Sequence, residues 1–451
     1  MSMASNLSFD SLNRDEFYYT FQTQTTPVHD LSNRELSFQD ELVEQIDFQN
    51  DNLEFNFDSN DSTTQAISQY YTEDQFISNF LLNDKEFSML HLNIRSANKN
   101  FDSLRVLIEG FNYNCSVIGL SETWFSDHSP SLVSLPDYNL VVNNRPDKAG
   151  GGVGMFISRQ FEYEVRNELT FMNSNIETIF VEIIIPGNKN IIIGTFYRPP
   201  RSNSNDFLNC MQQILTDPVV QNKQCFFMGD FNINLFHNHS SVFIQNFLDT
   251  LVTESFLPLI TKPTRIKDNS STLIDNIFTN VQPLPKSAII LSDISDHFPI
   301  FASFPLLRTS VPKAYVHTRL FTQDNILSLK SSLLLADWSG VFNSNDPDHA
   351  FEIFVDKLTV LLNEKIPIIK KKINNKKKIS RSPWITKSIL RSINRKNNLY
   401  LKYQAKPTQQ NKMKYIRYKN ILTTLLRREK NCFIHDKEIL LKMILRALGK
   451  Q

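Results

Sequence analysis

Between Phe87 and Leu306 short apolar or β-branched runs recur, each bounded by Asn, Gly, Asp or Pro. That spacing predicts strands at residues 89–94, 116–120, 138–142, 153–158, 178–185, 190–197, 225–230, 273–279, 288–291 and 300–304. Apolar positions three and four apart predict helices over 102–111, 206–215 and 241–251. Pro186-Gly187-Asn188, between two apolar runs, predicts a hairpin turn. Strands in this number, with few helices among them, imply an α/β protein of two packed sheets with helices outside. After Pro312 the strand pattern stops. Residues 325–336 and 350–362 read as amphipathic helices, and helical stretches rich in Lys, Arg, Tyr and Leu run from about residue 385 to the end.

Charge divides the chain at the same places. The 451 residues sum to a formal +1, but residues 1–88 carry 3 basic and 17 acidic side chains, whereas 365–451 carry 25 basic and 3 acidic. Nine of the 11 glycines lie between Gly110 and Gly229, so tight turns concentrate in the strand-rich part. Residues 1–86, rich in Asn, Ser, Gln and Asp, read as an acidic disordered tail with a short helix at 35–46. Residues 87–306 form the folded domain and 313–451 a basic helical segment. The longest apolar runs are far short of the ~18 residues of a membrane span. The N-terminus lacks the basic-then-apolar pattern of a secretory signal. Cys115, Cys210, Cys225 and Cys432 have no metal-ligand spacing and read as reduced thiols. A nuclear or cytoplasmic protein without a membrane partner is expected.

The chemistry sits where strands end. Apolar runs lead into Asn93-Ile94-Arg95, Ser121-Glu122-Thr123-Trp124, Tyr197-Arg198-Pro199-Pro200, Asp230-Phe231-Asn232 and Asp275, and Ser295-Asp296-His297 precedes another run. Any one of these polar residues alone reads as a turn residue or helix cap. Six in order read as side chains delivered by a rigid sheet into one cleft. Glu122, Asp230, Asp275 and Asp296 are hard oxygen ligands or bases suited to Mg²⁺, or Mn²⁺ in its place. Asn93, Asn232 and Tyr197 supply hydrogen-bond donors, and His297 exchanges a proton near neutral pH. Phosphodiester hydrolysis needs such a set to polarise the phosphate, activate a water and stabilise the transition-state charge.

With Gly150-Gly151-Gly152-Val153 and Leu273-Ile274-Asp275-Asn276-Ile277-Phe278 added, the motif series over about residues 87–304 resembles the endonuclease/exonuclease/phosphatase superfamily. Within it, the series resembles the apurinic-like endonuclease domains of non-LTR (LINE-type) retrotransposons. The resemblance implies a four-layer α/β sandwich and a DNA nuclease that nicks one strand to leave a 3′-hydroxyl. It implies that Glu122 holds the metal, helped by Asn93 and Asp296. It further implies that His297 contacts the scissile phosphate with Asp275 fixing its ring, and that Asp230 activates or positions the water, the general base being either Asp230 or His297. Asn232 and Tyr197 would stabilise phosphate oxygens, and Thr261 would place a hydroxyl near the DNA. Arg95 and Arg198 beside the motifs are further candidate nucleic-acid contacts. Lys370, Lys371, Lys372, Lys376, Lys377 and Lys378 read equally as a DNA or RNA contact, a nuclear localisation signal or a linker. Ser382-Pro383-Trp384 and the basic helices resemble the linker that precedes a reverse transcriptase, and no aromatic-Ala-Asp-Asp sequence follows them. A phosphatase, an abasic-site repair nuclease and a decayed nucleic-acid-binding remnant are the alternative readings.

Overall fold

Strands covered on both faces are apolar on both faces, and the central strands here have that composition. The computed structural model describes residues 68–80, 86–111, 115–125, 133–146, 150–236, 241–267, 270–306, 315–372, 382 and 384–448. In chain order the first elements are β1 (Tyr70–Tyr71), α1 (Glu73–Asn79), β2 (Glu86–Asn93), α2 (Ala97–Gly110), β3 (Val117–Ser121), β4 (Tyr138–Asn143), β5 (Val153–Ser158) and β6 (Glu162–Val165). Next come β7 (Glu177–Ile184), β8 (Ile191–Tyr197), α3 (Ser204–Leu215), α4 (Pro218–Gln221), β9 (Gln224–Asp230), α5 (Val242–Thr253) and β10 (Leu257–Pro258). Then follow β11 (Arg265–Lys267), β12 (Ser270–Thr272), β13 (Asp275–Thr279), β14 (Lys286–Ile290) and β15 (Ile300–Pro305). The last are β16 (Tyr315–Arg319), α6 (Gln323–Leu335), α7 (Ser339–Phe342), α8 (Pro347–Lys365), β17 (Ile368–Lys372), α9 (Lys387–Ala405) and α10 (Gln409–Leu448).

Seven strands form one mixed sheet in the order β1-β14-β15-β2-β3-β5-β4, and six form a second in the order β10-β13-β9-β8-β7-β6. Alternation along each strand sends one side chain between the sheets and the next outward. Phe226 therefore stacks on Phe304 of the opposite sheet, with ring centroids 5.0 Å apart. Its neighbour Phe227 turns to the other face and stacks on Phe256 at 4.6 Å. Phe76 of α1 and Phe101, Leu104 and Leu107 of α2 cover the outer face of the first sheet. Phe207 and Met211 of α3 and Phe247 and Leu251 of α5 cover that of the second. The result is the four-layer α/β sandwich. Gly229 shows how close the neighbouring strands run, since a Cβ there would lie 2.3 Å from the Phe196 carbonyl oxygen. No helix among the described residues is long and apolar enough to cross a membrane.

The structure departs from the sequence expectations at both flanks. Residues 68–80, assigned to the tail, add an edge strand and a capped helix to the sandwich, with Phe76 buried and Thr72 and Gln75 closing a capping box. Two tyrosines are too short a strand to show a period. Strands also continue beyond Pro312, because β16 pairs antiparallel with β17. The second partner reads in sequence as the start of a lysine run, and 48 residues separate the two, so no hairpin signal marks them. Lys370, Lys371 and Lys372 lie in β17, whereas the expected helix at 35–46, the rest of the acidic tail and Lys376, Lys377 and Lys378 lie outside the described residues.

Candidate active site

Strand register builds most of the site. Glu177 pairs with Tyr197, Tyr197 with Asp230, and Asp230 with Asp275, so four polar residues line up across the end of the second sheet. Directly paired residues share a face. On the first sheet Asn93 ends β2 beside Ser121 of β3, and Glu122 follows that strand. Asp296 and His297 come from the connection between β14 and β15. The two sheets thus present their polar ends to one place.

Asn93 joins the halves. Its Nδ2 donates to Glu122 Oε1 at 2.9 Å and to Asp230 Oδ2 at 2.8 Å. Asp230 Oδ1 accepts the Asn232 backbone N–H at 2.9 Å. His297 Nδ1 lies 2.9 Å from Asp275 Oδ2 and 3.9 Å from Asp230 Oδ2, and all three residues are buried. Thr264 Oγ1 donates to the same Asp275 oxygen at 2.7 Å. Glu122 Oε2 accepts from the indole of Trp124 at 3.2 Å. Arg95, Ser96, Glu122, Trp124 and Asn232 all have positive φ, a strained backbone for side-chain-bearing residues that clusters at this one site. The Gly150–Gly152 segment, also at positive φ, folds over the Glu122 motif. The backbone N–H groups of Thr123 and Trp124 donate to its carbonyls, and Gly152 N–H donates to buried Glu177 at 2.6 Å.

Electrostatics follow from burial. Asp230 is pushed up to about 7, first by burial and then by the charge of Asp275. Burial opposes a charge on His297, yet the Asp275 and Asp230 carboxylates raise it to about 9, so the imidazole is protonated at neutral pH. Burial, with the Glu122, Asp230 and Glu177 carboxylates, raises the Tyr197 phenol, which stays a donor. His91, buried beneath the site, is lowered to about 4 by burial and is neutral.

Two features suit this site to a divalent cation. Carboxylate oxygens of Asp230 and Asp275 lie within 4.8 Å of each other. Asp275 Oδ1 is buried without a hydrogen-bond partner among the described residues. A cation would compensate carboxylates that otherwise repel one another.

Residues 90–297 match the Endonuclease/Exonuclease/phosphatase family. The match runs from β2 to the connection between β14 and β15. Solved structures similar to the chain include the endonuclease domain of TRAS1, a telomere-specific non-LTR retrotransposon (14% identity, 49% of this chain and 100% of that one, TM-score 0.41). They also include an AP endonuclease from Archaeoglobus fulgidus (14% identity, 48% and 98%, TM-score 0.37). A third is the 3′–5′ exonuclease of Neisseria meningitidis (14% identity, 49% and 100%, TM-score 0.39). Among curated protein sequences, none matches the chain.

Of the residues expected in the site, Asn93, Glu122, Tyr197, Asp230, Asn232, Asp275, Asp296 and His297 come together. Asp296, Asn232, Arg198 and Thr261 take other partners than expected. Asp296 gives both carboxylate oxygens to arginines, with Arg95 at 2.7 Å on one and Arg265 at 2.7 and 2.9 Å on the other. Burial works against its charge, but these arginines and His297 hold it at about 2, as an arginine clamp rather than an open metal ligand. Asn232 turns its amide inward to the Arg198 carbonyl at 2.7 Å, which fixes the Asp230 turn. Arg198 is 8% exposed, its guanidinium between the Phe207 and Phe243 rings and bonded to the Asn232 and Ser202 carbonyls. Its charge therefore does not reach a ligand outside.

Thr261 is also buried, and its hydroxyl pairs with Ser68 at 3.1 Å. The threonine that reaches the site is Thr264, three residues on. Arg95, half exposed at the rim, keeps a position from which it can meet a phosphate. Sequence reasoning missed Thr264, Arg265, His91, and Glu177 with the Arg145 guanidinium paired to it. For Glu177 the available signal was an acid opening a strand otherwise apolar through Ile184 apart from Thr178 and Glu182.

Proposed function

We propose that this domain is a divalent-metal-dependent DNA endonuclease that hydrolyses one phosphodiester and leaves a 3′-hydroxyl. The observation that carries the reading is the buried Asp230–His297–Asp275 cluster joined through Asn93 to Glu122. Glu122, with Asn93 beside it, and the Asp230–Asp275 pair are the residues that would hold Mg²⁺ or Mn²⁺. When bound, such an ion polarises the phosphate and offsets developing negative charge.

The chain's own groups then divide the work. His297 donates through Nδ1 to Asp275, which orients the ring and leaves Nε2–H for a phosphate oxygen. An imidazolium is a poor base, so Asp230 accepts the proton of the attacking water. Asn93 and Asn232 hold the Asp230 carboxylate in place, and the Tyr197 hydroxyl donates to phosphate oxygens. Exposed cations of α9 and α10, among them Arg391, Lys414 and Arg417, offer a surface for neighbouring DNA or RNA phosphates.

The test is incubation of the full chain with supercoiled plasmid, with and without Mg²⁺. Nicked circles are expected only with metal, primed for extension by a DNA polymerase at the nick, and lost in His297→Ala and Asp230→Ala. Undiminished nicking in both variants, or intact plasmid with the wild type, defeats the reading.

A further inference from the structure

The helices after the sandwich dock on it. Trp384, Ile385, Ile389, Ile393 and Leu422 form an apolar cluster with Val106 of α2. Polar contacts surround the cluster. The buried Glu109 carboxylate accepts from the Ser382 backbone N–H at 2.8 Å and its hydroxyl at 2.7 Å, and Lys430 reaches Asp102 at 2.7 Å. Asn397 donates to Glu73 at 3.0 Å.

One carboxylate in this interface belongs to the active-site connection. Asp293 lies four residues before His297, between β14 and β15, and its side chain is 3% exposed. It receives the Lys396 ammonium, the Tyr415 hydroxyl at 2.8 Å and the Lys419 ammonium at 3.2 Å. Lys419 also donates to the Asp293 carbonyl at 3.0 Å. On the site face of the same connection, Ser295 Oγ donates to the Asn93 carbonyl at 2.7 Å and accepts His297 N–H at 3.1 Å. Phe298, next after His297, meets Tyr400 edge-on at 6.5 Å. The connection that presents the imidazole is thus gripped from the site by Ser295 and from behind by α9 and α10.

We propose that Lys396, Tyr415 and Lys419 are positioning residues which, through Asp293, fix the place of the His297 imidazole, so that the working nuclease includes the first part of the basic helical segment. A buried ionic node is seldom worth more than an apolar core of equal volume. What it adds is geometry, because three donors converge on two oxygens in only one arrangement. Catalysis is sensitive to that, since a displacement of about 1 Å can cost on the order of 100-fold in rate. The inference rests on the nuclease reading above.

The experiment uses the full chain with Tyr415→Phe, Lys396→Met and Lys396→Arg, measuring kcat and KM for nicking, thermal melting, and amide hydrogen exchange along the chain. Tyr415→Phe and Lys396→Met are expected to lower kcat by about 10- to 100-fold with KM within about twofold. Exchange should quicken over residues 291–298 and stay unchanged in α3 and α5, with Lys396→Arg recovering most of the rate. Unchanged kcat and exchange in the first two variants overturns the proposal, as does a rate loss with exchange raised throughout the sandwich. If the wild type does not nick DNA, the nuclease reading fails on its own. Faster exchange confined to 291–298 would then still support the coupling, and unchanged exchange would sink it.

Discussion

Replacing Asp275 with Asn separates what the site does for the reaction from what it does for stability. Asp275 attracts protonated His297 across 2.9 Å. At an effective dielectric constant near 20 that is worth about 6 kcal/mol. It also repels Asp230, whose nearest ligand oxygen lies within 4.8 Å of its own, by at least about 3.5 kcal/mol on the same scale. The net attraction of at most about 2 kcal/mol is offset by several kcal/mol of desolvation for a buried carboxylate. Asp275→Asn should therefore change the unfolding free energy by no more than about 2 kcal/mol in either direction. The catalytic loss should be far larger. Without the carboxylate, His297 loses its proton-holding partner and its orientation, and nicking should fall by about 100-fold or more. Urea unfolding and plasmid nicking on one preparation decide the matter. A loss of more than about 4 kcal/mol with nicking nearly intact would show instead that Asp275 is a structural residue.

Two further outcomes follow from buried charges. Asp293 is buried, which alone would raise its pKa, but Lys396, Lys419 and the Tyr415 hydroxyl hold it well below the usual carboxylate range. Its stabilising contribution is then complete above the unfolded-state value of about 3.9 and is lost as pH falls through the lower folded-state value. The stability gap between wild type and Asp293→Asn, measured by urea unfolding, should be constant from neutral pH to about 5 and shrink below about 4; a gap that does not vary with pH rejects that assignment. Arg198→Ala should destabilise the fold by about 2 kcal/mol through lost packing and two charged hydrogen bonds. It should leave the salt dependence of DNA binding unchanged, whereas removing a phosphate contact would reduce the slope by about 1.

Much of the sandwich is legible because its strands are apolar on both faces and end in Asn, Asp or Glu. The strand expected at 153–158 is found there as Val153–Ser158, and Tyr197 and Asp230 both close strands as expected. Residues whose partners lie far along the chain are harder to read. Arg198 looks like a free cation beside a motif until the fold places Phe207 and Phe243 on either side of it, two rings 36 positions apart in the chain. Thr261 and Thr264 are equivalent in composition. Only the pairing of β11 with β12 and the approach of β13 decide that Thr264 meets Asp275. Asp296 shows the same limit. Nothing in Ser-Asp-His indicates that Arg95 and Arg265, 170 positions apart, converge on that carboxylate.

The basic segment serves two ends. Twenty-five cations against three anions in residues 365–451 read as an arm for nucleic acid. The fold divides them. Lys396, Lys419 and Lys430 are committed to Asp293 and Asp102 of the sandwich, whose own stretch, residues 89–364, carries 27 acidic and 20 basic residues. Lys387, Arg391, Lys406, Lys414 and Arg417 remain exposed. The committed charges sit at partly buried pairs, where screening by salt is weak. The exposed ones are screened and are the ones able to exchange counterions with a phosphate backbone. Rising salt should therefore strip nucleic acid from this segment well before it loosens the segment from the sandwich, and the two roles of one basic run become separable by ionic strength alone.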